Sequence, residues 1–186
     1  MKLPSIHNRL RRAIERGFKN GKLSDELDEL GEVTPVSRAD GEAICWGLTQ
    51  LNPADPQFDD DLRALAGLFQ EVDDPECEAV EVLREAGIPR LIELLDGMDP
   101  AREEKGFGLR LFLLKILAIY GTVAGTLKIV EAARVPLDPE GYLWNVVFQC
   151  FGAEHPEKEL LFRSLSDPLP PPASSRSRFW TRRTRC

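Results

Sequence analysis

Asp59, Asp60 and Asp61 stand in a row in DPQFDDDLRALAGLF, the longest run of acids in the chain. Three adjacent carboxylates invite calcium or magnesium, but an EF-hand sets its oxygen ligands at alternate positions around a central Gly and closes with a distant Glu. That pattern is missing. Consecutive acids opening an apolar-periodic run instead complement the positive end of a helix dipole. The expectation is a solvated helix start, and Glu103 and Glu104 are read in the same way.

Nucleophile and base pairs are scarce. The chain has two histidines, His7 and His155, and four scattered cysteines, Cys45, Cys77, Cys150 and Cys186. No CxxC is present, and no His stands at zinc-ligand spacing from a Cys. Cys150 follows VVF in an apolar-periodic run, where a thiol behaves as a small hydrophobe. GxSxG, HExxH, GxGxxG and the phosphate-cradling GxxxxGK[ST] do not occur. GFG at 106–108 and GTVAG at 121–125 lack the preceding strand that a phosphate loop needs. The sequence therefore predicts a protein that is not an enzyme, with no catalytic residue, no metal and no cofactor. Widely separated, core-type cysteines and charges throughout the amino terminus fit a reduced, cytoplasmic setting better than export.

The net charge of -7 conceals three zones. Residues 1–22 carry seven Lys or Arg against Glu15 alone, residues 173–186 carry five Arg and no acid, and the remainder holds 12 basic against 30 acidic residues. Arg9, Arg12 and Arg16 lie opposite Leu10, Ile14 and Phe18 on an amphipathic helix, which reads as a polar cap at one end of the fold. LPPPASSRSRFWTRRTRC mixes a linker-like stretch with arginines, Phe179 and Trp180, so its composition predicts a disordered tail. Arg9, Arg12, Arg16, Arg182 and Arg183 are the candidate cationic contacts, with nucleic acid or an anionic membrane as the alternative partner.

What must hold these residues is helical. Asp-Pro recurs at 55–56, 74–75, 99–100, 138–139 and 167–168, and an Asp capping a helix with Pro at its first position starts one economically. Between the pairs, apolar residues keep a spacing of three and four. Helices are expected near 5–18, 24–31, 38–51, 57–72, 75–86, 88–97, 100–120, 123–134, 139–151 and 156–166. The short connectors make successive helices antiparallel neighbours.

The stretch from Pro75 to Gly121 resembles one unit of the armadillo/HEAT-type helical repeat family: a short helix, a Gly-Ile-Pro corner, a helix with LIELL, an Asp-Pro break and a longer third helix. The resemblance covers about a quarter of the chain. It implies a structural corner at Gly87 and Pro89, with Gly87 ending one helix and Pro89 opening the next. It also implies a repeat core built from Leu83, Leu91, Ile92, Leu95, Leu113, Ile116 and Leu117. A left-handed Gly and a first-turn Pro suit such a corner. The third helix lacks the Asn with which armadillo proteins hold an extended peptide, so the likeness leans toward HEAT.

The segment from Phe107 to Leu127 is long enough to span a bilayer but contains Arg110 and Lys115, each costing about 2.5–3.5 kcal/mol at a membrane centre. A helix buried in protein is expected, with no transmembrane span. Apolar residues cover nearly its whole circumference between Leu109 and Tyr120, so neighbours should surround it. The resulting expectation is an all-α fold, a short right-handed α-solenoid of stacked antiparallel helix pairs. Residues 1–22 would form its capping helix, 23–168 the helical-repeat domain and 169–186 the tail. Its expected role is a scaffold that binds a protein partner.

Overall fold

A computed structural model describes residues 6–31, 33–72, 74–98, 103–133, 157–160 and 163. Among them the chain is helical and contains no strand. The elements are α1 (Ile6–Asn20), α2 (Leu23–Asp28), α3 (Arg38–Gln50), α4 (Phe58–Gly67), α5 (Glu78–Val82), a π-helical turn (Leu83–Gly87), α6 (Ile88–Gly97), α7 (Glu103–Tyr120) and α8 (Val123–Ala133). The helix expected at 139–151 and most of that at 156–166 lie outside the described residues, as does the tail. No helix among the described residues is long and apolar enough to cross a membrane.

The helix ends show which local signals act. Ser37 accepts from the Asp40 N–H while Asp40 accepts from the Ser37 N–H, a reciprocal box that satisfies two first-turn donors of α3. The two described Asp-Pro pairs work one step earlier than expected. Asp55 Oδ1 accepts from Gln57 N–H at 2.9 Å, and Asp74 Oδ1 accepts from Glu76 N–H at 2.9 Å. Each forms a turn that delivers the chain to a helix starting three or four residues after the Asp. At the other ends, Gly21 (φ 64°) and Gly121 (φ 57°) take the left-handed conformation. Lys22 N–H then reaches the Gly17 carbonyl and Gly121 N–H reaches that of Leu117.

Gly87 corrects the expectation drawn from the resemblance. Its φ is -68°, ordinary right-handed helix. No loop intervenes, because the chain runs from α5 through the π turn directly into α6, and Ile88 N–H bonds the Leu83 carbonyl five residues back. Pro89 explains the wide turn. In an uninterrupted α-helix its ring would press on the carbonyl four residues earlier, and a π turn just upstream relieves that contact. Glycine is required at 87 for space: an added Cβ would lie 2.8 Å from the Phe69 ring.

Most of the buried apolar residues form one cluster running from Leu10 on α1 to Ala132 on α8. It grows in chain order. α1 packs on α2 and α3, α3 on α4, α5, the π turn and α6, and α6 on α7 and α8, while α4 touches both α2 and α7. Gly41 lets α3 approach α5, since a Cβ there would stand 2.9 Å from the Val82 Cβ. Two arginines tie elements far apart in the chain: Arg84 Nε donates to the Tyr120 carbonyl that ends α7, and Arg90 Nε to the Leu48 carbonyl near the end of α3, both at 3.3 Å.

α7 is covered on most of its circumference but not all. Leu109, Leu113, Leu114, Ile116, Leu117, Ala118 and Tyr120 are buried. Leu111, Phe112 and Lys115 are only half-buried, and Ile119 is 56% exposed. Phe112, Lys115 and Ile119 fall on one flank at a spacing of three and four, where Arg63 of α4 lies near the Phe112 ring. Among the described residues, the helices that meet α7 are α4, α6 and α8.

Candidate functional site: an acidic groove between α2 and α4

α2 has six residues, so it rises only about 9 Å. It buries Leu23 and Leu27 and is too short to roof the whole length of α4, which buries Phe58, Leu62, Leu65 and Ala66. Two adjoining hollows result. One, of about 480 Å³, is lined by Lys22, Asp25, Gln57, Asp60, Asp61 and Arg63, among others. The second, of about 360 Å³, is lined by Leu27, Leu30, Val33, Gly67 and Leu68, with Asp28 and Glu71 at its margins. They share Ser24 and Ala64, and residue numbers advance together along α2 and α4. The pair therefore forms one groove, acidic toward the starts of the two helices and more apolar toward their ends.

Negative charge dominates its polar part. Asp25, Asp28, Asp60 and Glu71 are exposed and Asp61 is half-buried. Burial pushes the Asp61 carboxyl above its ordinary range, and repulsion from Asp55 and Asp60 pushes it further. The two cations of the groove do little to offset this. Lys22 is exposed to solvent, and the Arg63 guanidinium lies 5.5 Å from the centre of the Phe112 ring on α7. No ion pair joins Asp25, Asp28, Asp60 or Asp61 to a cation among the described residues. Glu26, by contrast, points back to α1 and binds Arg16 at 2.7 Å.

Chemically, this arrangement favours a guanidinium or ammonium group in the acidic half and an apolar side chain in the other half. Among the described residues no three His, Cys, Asp or Glu side chains converge as ligands of one metal ion. The row Asp59, Asp60, Asp61 does open α4. Successive positions on a helix point in different directions, so Asp60 and Asp61 border the groove while Asp59, also half-buried, does not line it.

The other residues singled out by sequence are distributed as follows. Leu83, Leu91, Leu95, Leu113, Ile116 and Leu117 are buried in the common core, and Ile92 packs against it half-buried. Pro89 is the exposed second residue of α6. Arg9 and Arg12 are exposed on α1, whereas Arg16 is held by Glu26 and Arg11 lies over the Trp46 ring at 3.4 Å while pairing with Glu15. The basic face of α1 is thus partly committed to its own fold. Arg182, Arg183, Cys150 and His155 are outside the described residues. Cys45 is half-buried, and burial followed by the Glu42 charge pushes its thiol up to about 11.

The groove itself was missed by sequence reasoning. Its acids are visible in LSDELDELGE and FDDDLRAL, but nothing local states that these segments lie side by side. No family model, curated protein or solved structure matches the chain.

Proposed function

We propose that this chain is a non-enzymatic protein-interaction scaffold, a short right-handed α-solenoid of HEAT/armadillo-like helix pairs, whose α2–α4 groove takes a cationic segment of a protein partner. The observation that carries the reading is the groove's composition: carboxylates with no ion-pair partner among the described residues, beside an apolar floor. A basic, aromatic-bearing segment complements both halves, its charges steering encounter and its rings gaining contact area. The layered order of helix contacts supports the solenoid, since each part of such a fold leans chiefly on its chain neighbours.

A second reading assigns binding to the basic termini, with nucleic acid or an anionic membrane as partner. Exposed Arg9 and Arg12 favour it, while the internal pairing of Arg11 and Arg16 leaves α1 fewer free cations. Hydrogen exchange on the full chain separates the two readings, using an arginine-rich peptide with one Phe and one Trp against a single-stranded oligonucleotide of similar length. The proposal expects the peptide to protect residues 22–33 and 57–71, and the protection to weaken with salt. Protection confined to α1 and produced by the oligonucleotide alone would replace it with the second reading.

A further inference from the structure

The chain itself contains a segment with the chemistry the groove selects. Residues 173–186, ASSRSRFWTRRTRC, hold five arginines, no acid, and the adjacent pair Phe179 and Trp180. We infer that this carboxy-terminal segment occupies the α2–α4 groove of its own chain and competes there with any basic partner. This rests on the groove being a site for cationic segments and adds to it the occupant and a mode of regulation.

Complementarity argues for the match at both ends of the groove. Arginine forks pair with carboxylates through two parallel hydrogen bonds, so the acidic half, with Asp25, Asp60 and Asp61, suits RSR or RRTR better than it would suit lysines. The second half offers Leu27, Leu30, Val33 and Leu68, where an aromatic pair can shed water. Raised by burial and by Asp55 and Asp60, the Asp61 carboxyl gains from a neighbouring guanidinium. Reach does not limit the contact. The 39 residues between Ala133 and Ala173 would span about 60 Å as one continuous helix, more than the width of a fold of this size. Tethering makes the encounter intramolecular, which raises the tail's effective concentration above that of a free competitor.

The test uses the full chain and a synthetic peptide of residues 173–186, titrated calorimetrically under reducing conditions at low salt. Three proteins are compared. One is unaltered, one carries Arg176→Gln, Arg178→Gln, Arg182→Gln, Arg183→Gln and Arg185→Gln, and one carries Asp25→Asn, Asp28→Asn and Asp60→Asn at exposed positions. Neutralising the tail empties the groove, so the free peptide should bind about tenfold more tightly than to the unaltered chain. The groove variant should lose most of that binding. Equal affinity for the unaltered and tail-neutralised chains overturns the inference and leaves the groove reading standing. Failure of the peptide to bind either chain, or binding undiminished in the groove variant, overturns both. As a second measurement, trypsin should cut after the tail arginines several-fold faster in the groove variant than in the unaltered chain, at a ratio independent of protein concentration. A ratio that shrinks on dilution assigns the occupant to a second copy and overturns the intramolecular form.

Discussion

The space beside α4 and the space around α7 are filled in opposite ways. α2 ends after six residues and leaves α4 flanked by a groove with carboxylates at its rim, whereas α7, with 18 residues, has α4, α6 and α8 against it and buries Leu113, Leu114, Ile116 and Leu117. Tyr120 shows how a polar group is admitted there. Its hydroxyl is satisfied by the Phe69 carbonyl at 3.0 Å, and its ring meets the Phe69 ring edge-on at 5.3 Å. The difference teaches that helix length, more than composition, decides where this fold stays closed and where it opens. Among the described residues nothing covers the acids beside α2, and Asp25 and Asp28 are exposed.

The largest test of the contrast is Ile116→Ala, which removes a fully buried side chain from the closed region. It should destabilise the chain by about 2–5 kcal/mol in urea unfolding, whereas Leu30→Ala beside the groove, already half-exposed, should cost about 1 kcal/mol or less. Equal losses would erase the distinction. Next comes Gly87→Ala, expected to cost about 1–3 kcal/mol because the new methyl group drives into the Phe69 ring. A double-mutant cycle with Phe69→Leu should show coupling of about 0.5–3 kcal/mol; additive effects would move the role of Gly87 away from packing.

Gly121→Ala should cost about 1–2 kcal/mol for a different reason, the left-handed φ of 57°, and should show no coupling to Phe69. The smallest effect belongs to the groove. The Asp61 carboxyl is raised in the folded chain, so the folded state holds that proton more readily than the unfolded state does. Its cost to stability is absent below the ordinary carboxylate range and sets in as pH rises through that range toward the raised value. In the chain whose five tail arginines are neutralised, Asp61→Asn should therefore raise the melting temperature slightly at neutral pH and leave it unchanged in acid. A loss of stability at neutral pH would mean that Asp61 is held by a cation.

The helical class, most helix positions and the burial of Leu83, Leu91, Leu95, Leu113, Ile116 and Leu117 were legible, because a period of three and four records which face each helix buries. The packing role of Gly87 was not legible. Its glycine answers to Phe69, 18 positions away, and no local pattern encodes a contact of that kind. The two Asp-Pro turns were recognised as helix signals but displaced, since the Asp bonds backbone before the helix begins instead of within its first turn. The flank of Phe112, Lys115 and Ile119 had to be seen against its neighbours, and the groove depends on the meeting of α2 with α4.

The reach of Arg90 to the Leu48 carbonyl has a consequence for how the chain melts. Part of the end of α3 is finished by a residue 42 positions further along, and Arg84 does the same for α7 from 36 positions before it. Fraying of either helix thus draws on its partner, which couples early and late segments into one cooperative unit. A chain cut between α5 and α6 would lose the close of α3 along with the residues removed, and its remaining amides would exchange with solvent well ahead of those in the intact fold.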